Sequence, residues 1–438
     1  MKAAINIISG AITLGAILLT VCSPLAYGEV WQAENQWNRD FELKYSQWVS
    51  SSAVHREIFA APDSPYYGVA VDCADLIFAI RAIFAFTHSL PFAIKLSEND
   101  IITNQEAWFD GIKDPIRRLK TFIDYFLDDS GTEQLAKLNS YPIDPATLQA
   151  GDIYITQWKN DRKVMVGHGY LIKNVLSTGY LHLLYSTTPR TPRILLERFG
   201  MPYRLPLDNT YWGFRRLFTP QQLIPHDSVA EPANISFRQY EILKETPALF
   251  FNYIRDLLKV EDEQMSESII RQARNLCGQL VQRISLVNLS LEQLGVGGHR
   301  TTSPHEYELY STPDLDKSIY LGIKDLIKQS NSLNIRSATT MVQIVGPNHV
   351  FHNANTSDSA NDDQLPAKIK AAINYLKGVA FSSEAKKAME DLCLVPIGNN
   401  VYFSLRDYYL RYSKKQLSSN PNHKWAKRWG ILPSPKLR

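Results

Sequence analysis

The sequence predicts an α+β protein in two parts: a mixed N-terminal part and a mainly α-helical C-terminal part. Three observations carry this. Helical patterns come first, between residues 34 and 138. Short alternating apolar segments follow, between 152 and 216, as expected of an antiparallel sheet. From about Pro232 the pattern returns to helical spacing. The organisation read from these changes is a leader over 1–28, a mixed domain over 29–228 and a helical domain over 229–438.

The leader is read from Lys2, the nearly continuous apolar run Ala3 to Val21, and the break at Ser23-Pro24. Ala26-Tyr27-Gly28 places small residues where a signal peptidase reads, so cleavage is expected after Gly28. Cys22 would suit a lipoprotein, but Val21 stands where that processing wants a small side chain. An uncleaved N-terminal anchor is the alternative, and only then would the chain hold a membrane.

Glu34 to Val49 carries Trp37, Phe41, Tyr45 and Trp48 at helical spacing, an aromatic stripe that belongs in a core. Asp72 to Phe86 is apolar nearly all round and predicts a buried helix capped by Asp72. Asp114 to Leu138 is helical, with a break at Asp128-Asp129-Ser130-Gly131. Strands are expected over Asp152 to Trp158, Val164 to Val175 and Tyr180 to Ser186, and a closing strand over Tyr211 to Arg216. The segment Lys159 to Lys163 suits a hairpin connection. In the second part, Ile269, Ala273, Leu276, Leu280, Ile284 and Val287 form one apolar face; Asn353 to Gln364 reads as a loop and Ala367 to Leu376 as a helix. Ser404 to Arg438 has nine Lys or Arg against one Asp, interleaved with tyrosines and tryptophans, and reads as a helix turning its aromatics inward.

Composition narrows the function. A formal charge of +3 over 438 residues is too small to imply nucleic acid. There is no phosphate-binding glycine loop and no metal-ligand spacing, so no cofactor is expected. Without the leader the cysteines are Cys73, Cys277 and Cys393, an odd number for an oxidising compartment. If Cys277 and Cys393 form a disulfide, Cys73 is the single free thiol; otherwise Cys277 is a small core residue.

Cys73 is the most informative residue. It follows a natural N-cap, and the first turn of a helix favours an anion and hence a thiolate. Downstream stand Leu148-Gln149-Ala150-Gly151-Asp152, entering a strand, and Gly167-His168-Gly169-Tyr170-Leu171-Ile172 on the next one. With Pro65-Tyr66-Tyr67-Gly68 before the cysteine, these elements resemble the NlpC/P60 superfamily of papain-like cysteine peptidases over about residues 61–186. The resemblance implies a papain-like domain, an exported bacterial enzyme (periplasmic or secreted), and cleavage of peptide or amide bonds in peptidoglycan stem peptides. It implies Cys73 as nucleophile and His168 as general base. Tyr66, Asp72 and Asp75 are the candidates to contact substrate. His182 is the candidate third catalytic residue, with Tyr185 and Ser186 as alternatives. Ala74-Asp75 stands where the family has Ser-Gly, which leaves substrate choice open. The other readings are a noncatalytic binding or scaffold protein that keeps the papain-like shell, and a thiol acyltransferase or amidase on a different substrate. Oligomeric state is not legible.

Overall fold

The computed structural model describes residues 28–159, 163, 165–207, 210–224, 232, 234–295, 301–330 and 364–431. The leader up to Tyr27, most of the expected loop at 353–364, and all of the hairpin tip except Lys159 and Lys163 lie outside the described residues. The protein is α+β. Its first helices are α1 (Arg39–Ser50) and α2 (Cys73–Thr87), followed by the hairpin β1 (Ala93–Ser97) and β2 (Asp100–Thr103). Then come α3 (Pro115–Leu127) and α4 (Thr132–Lys137), parted at the expected break. The sheet strands are β3 (Ser140–Pro142), β4 (Ile153–Lys159), β5 (Met165–Val175), β6 (Leu181–Tyr185), β7 (Leu196–Phe199) and β8 (Gly213–Leu217). They form one six-stranded antiparallel sheet in the order β3-β8-β4-β5-β6-β7.

Strand alternation divides this sheet into two apolar faces. Ile153, Ile155, Leu171 and Leu184 join the core around α2. Tyr154, Tyr170, Ile172, Leu183 and Tyr185 point the other way. Helix α2 is buried from Cys73 to Ala85, as its all-round apolar sequence requires. Its one charge in the middle, Arg81, is satisfied by Glu42 of α1 and lies between the rings of Trp37 and Tyr45, 3.7 and 4.4 Å from their centroids.

The back face of the sheet is covered by α6 (Arg238–Glu245) and α7 (Phe250–Leu258), which follow the short α5 (Pro220–Leu223). Ile242, Leu243, Phe250 and Ile254 share a core with Tyr154 and Phe214. Helices α6 and α7, which the expected division at residue 229 assigns to the second part, therefore share the core of the sheet. The expected boundary came from a change in pattern, whereas these two amphipathic helices find their partner across the sheet.

The C-terminal part is built on α8 (Met265–Leu294), α9 (Pro304–Tyr310), α10 (Pro313–Ser330), α11 (Gln364–Lys377) and α12 (Ser383–Leu392). A hairpin, β9 (Leu394–Gly398) with β10 (Val401–Ser404), then leads into α13 (Leu405–Ser413) and α14 (Trp425–Arg428). The apolar face read on α8 packs here with α10 to α13, and Tyr408 and Trp429 of the basic tail are buried as expected. Cys277 of α8 and Cys393, just after α12, form a disulfide, and Cys73 is the free cysteine among the described residues. Helix α8 also closes an edge of the sheet. Asn275 accepts the Phe199 N–H on Oδ1 at 2.8 Å and donates from Nδ2 to the Phe199 carbonyl at 2.7 Å. No helix among the described residues is long and apolar enough to cross a membrane.

The Gly151-Asp152 turn holds the sheet against α1. Gly151 has φ +90°, and a Cβ there would lie 2.7 Å from Cε1 of buried Tyr45. Gly151→Ala is accordingly expected to destabilise by roughly 2–3 kcal/mol through left-handed strain and overpacking. Thermal unfolding tests this, and an unchanged melting temperature would show that Tyr45 yields without cost.

Candidate functional site

The site begins at the N-terminus of α2. Asp72 is the N-cap: its carboxylate accepts the backbone N–H groups of Ala74 at 3.1 Å and Asp75 at 3.3 Å. Asp75 returns the contact, accepting the Asp72 N–H on Oδ2 at 3.0 Å. The two expected substrate contacts thus form a reciprocal capping box. Burial, then the Asp72 charge beside it, push the Asp75 carboxyl up to about 7. Tyr66 is half-buried, its ring packed against the α2 core, and burial pushes its hydroxyl up. Among the described residues, no hydrogen bond joins Tyr66 to Cys73.

Cys73 occupies the first helical position as the sequence predicts, but it is 6% exposed. Its Sγ lies 3.7 Å from Thr132 Oγ1 and 3.9 Å from the Gly167 carbonyl oxygen. Burial, reinforced by the Asp72 charge, pushes the thiol up to about 12, against smaller opposing contributions from the Gly169 backbone and Thr132. The helix terminus favours a thiolate, worth about 0.3–1 kcal/mol for an exposed group. Burial in an apolar site acts the other way with a larger effect. Cys73 is therefore held as a thiol.

His168 does not meet it. Strand β5 faces α2 with Gly167 and Gly169: a Cβ on Gly169 would lie 3.1 Å from Ile77 Cδ1 and 3.5 Å from the Cys73 carbonyl oxygen. A Cβ on Gly167 would lie 2.7 Å from that of Thr132. His168, between these glycines, points to the opposite face. There it pairs across the strands with Thr156, and its ring contacts Tyr170 and Tyr185 at centroid distances of 4.5 and 5.4 Å. Its enclosure on that face lowers the imidazole to about 4, so it is neutral at pH 7. The expected Cys73–His168 dyad is thus corrected: the sheet separates the two side chains.

His182 is corrected as well. It pairs across the strands with Asn174, five positions along β5 from Gly169. At about 3.3 Å per residue, that is on the order of 17 Å from the cysteine. Its Nε2 lies 2.8 Å from Glu197 Oε1, and its ring stacks on Phe199 with centroids 4.3 Å apart. Glu197 also pairs with Arg56 at 3.7 Å. Burial alone would raise this carboxyl, but the His182 contact and the surrounding cations hold it below its ordinary range. Of the two alternatives for the third residue, Tyr185 lies with His168 on the far face, and Ser186 is fully buried with its hydroxyl donating to the Val71 carbonyl at 3.0 Å.

Two residues of the site were missed from the sequence. Thr132 opens α4 after Gly131 and fills the space beside Cys73. Arg190 lies 3.5 Å from Asp75 Oδ2, donates from Nε to the Ala70 carbonyl at 3.2 Å, and pairs with Asp124 of α3 and with Asp128 at its C-cap. It ties the segment before Cys73 to a neighbouring helix. The signal for it was a cation between prolines in Pro189-Arg190-Thr191-Pro192, a fixed loop placing one charge. Asp152 of the Gly-Asp turn is held by Arg216, with contacts of 2.6 and 2.8 Å, and so serves the sheet. Among the described residues, no group of His, Cys, Asp and Glu is arranged to hold a metal ion.

No family model matches this chain, and no curated protein or solved structure matches it.

Proposed function

We propose that this chain is an exported binding or scaffold protein built on a papain-like, NlpC/P60-type shell in which Cys73 is not a nucleophile. The observation that carries the reading is the contact of Thr132 with β5. The strand positions that face the cysteine are glycines, and at Gly167 a Cβ would meet the Cβ of Thr132 at 2.7 Å. No side chain fits there, and His168 is turned to the other side of the sheet. A buried helix opening on cysteine, packed on an antiparallel sheet, supports the papain-like shell. By the resemblance, the partner is peptidoglycan or a related peptide, met in the periplasm or outside the cell.

A second reading, an exported cysteine hydrolase of stem peptides, keeps one observation in its favour: Cys73 stands at the capped N-terminus of α2. The two readings predict opposite behaviour of the same thiol. In the binding-protein reading, iodoacetamide labels Cys73 of the folded chain at pH 7 at least about a hundredfold more slowly than a small free thiol of pKa about 8.5. His168→Ala leaves that rate unchanged, and residues 29–438 bind purified sacculi without releasing soluble fragments. Labelling faster than the free thiol, or fragments released by the wild type and not by Cys73→Ala, would establish the hydrolase instead.

A further inference from the structure

We propose a carbohydrate-binding site in the C-terminal part of the chain, at a cavity of about 430 Å³ between α11, α12, the β9–β10 hairpin and the start of α13. This volume lies in the range of small-ligand clefts, roughly 300–1,000 Å³. It is independent of whether Cys73 reacts.

The wall and its surroundings combine two chemistries. Tyr402 of β10 is 57% exposed and Phe381, in the turn between α11 and α12, is 70% exposed. Arg406 braces the aromatic side: its guanidinium lies 4.5 Å from the ring centroid of Tyr375 and 4.9 Å from that of Phe381, and it also donates to the Tyr375 carbonyl. Arg406 thus supports Tyr375 and Phe381, while Tyr402 stands exposed on the wall. The polar side of the cavity carries Glu390, Lys386 and Asp407. Glu390 and Lys386 pair loosely at 3.6 Å. Asp407 accepts the Ser404 backbone N–H at 2.9 Å and hydroxyl at 2.7 Å, both on Oδ2, which leaves Oδ1 to accept from a ligand.

The charges decide the ligand class. On the wall two carboxylates, Glu390 and Asp407, stand against Lys386, with the Arg406 guanidinium behind the aromatic side, so an anion is disfavoured and a ligand that donates hydrogen bonds to carboxylates is favoured. A lipid chain would leave these charges desolvated and unpaired. A pyranose matches both sides, because its C–H face lies on an aromatic ring while its hydroxyls donate to carboxylates.

The test titrates residues 29–438 by calorimetry with two probes, chitotetraose and cellotetraose, using the wild type, Tyr402→Ala and Phe381→Ala. Both substitutions are at exposed side chains, and equal melting temperatures establish that the fold is kept. The expected result is millimolar or tighter binding of at least one probe, weakened about tenfold or more by Tyr402→Ala, as loss of one stacking surface implies. Absence of binding by the wild type to both probes at millimolar concentrations overturns the proposal. So does binding that neither substitution weakens.

Discussion

Asp316→Ala is expected to cost about 3–5 kcal/mol, because it removes the carboxylate that pairs with the fully buried cation Arg283. Asp316 of α10 is 1% exposed and receives four contacts: Arg283 Nε on Oδ1 at 2.5 Å, the Tyr408 hydroxyl on Oδ1 at 2.7 Å, and the Thr312 and Ser419 hydroxyls on Oδ2 at 2.8 and 2.6 Å. Arg283 in turn donates to the carbonyls of Ser418 at 3.2 Å and Arg428 at 3.1 Å. Arg428, also fully buried, donates to Ser290 Oγ at 3.0 Å and the Tyr310 carbonyl at 3.2 Å. The carboxylate thus joins α8, α10 and the tail, and without it the Arg283 guanidinium stays buried with its carboxylate partner gone. Urea unfolding followed by fluorescence should show a lowered midpoint. Replacing Asp316 and Arg283 together with apolar residues of similar volume should recover much of the loss, since the remaining charge is no longer stranded. A loss under about 1 kcal/mol for Asp316→Ala would mean that water reaches Arg283.

Removing the disulfide should have an effect of similar size. Cys277 and Cys393 are 116 residues apart, and closing so long a loop contributes about 4–5 kcal/mol in the chain-entropy description. Cys277→Ser, or reductant added to the wild type, should lower the denaturation midpoint of the C-terminal part, and Cys73→Ser should not. Non-reducing peptide mapping of exported material supplies the covalent check. Recovery of three free thiols would refute the bond and, with it, the argument for an oxidising compartment.

What was legible in the sequence was what neighbouring residues decide. The cap at Asp72, the buried character of α2 and the break before Thr132 follow from local chemistry, and the structure has all three. Strands β4, β5 and β6 announced themselves by alternation. Strand β7, Leu196-Glu197-Arg198-Phe199, did not, because its charged centre is balanced by residues that come from elsewhere in the chain. The cysteine was placed correctly on its helix, but its burial depends on Thr132, 59 residues away. The orientation of His168 was legible and was missed: side chains next to each other on a strand point apart, so glycines that lie against the cysteine turn the histidine from it.

The bonds from Asn275 to Phe199 bear on how this protein can assemble. An uncovered sheet border offers its free backbone groups to any extended chain, which invites fibre growth or strand donation by a partner. Here one border ends in a side-chain amide that satisfies both groups of Phe199, and α8 passes so close that a Cβ on Gly278 would lie 3.1 Å from the Glu197 carbonyl oxygen. The opposite border, β3, is three residues long and finishes at Pro142, which has no N–H to offer. Both borders of the six-stranded sheet are thus blunted, so a partner strand finds no long open edge on it to extend.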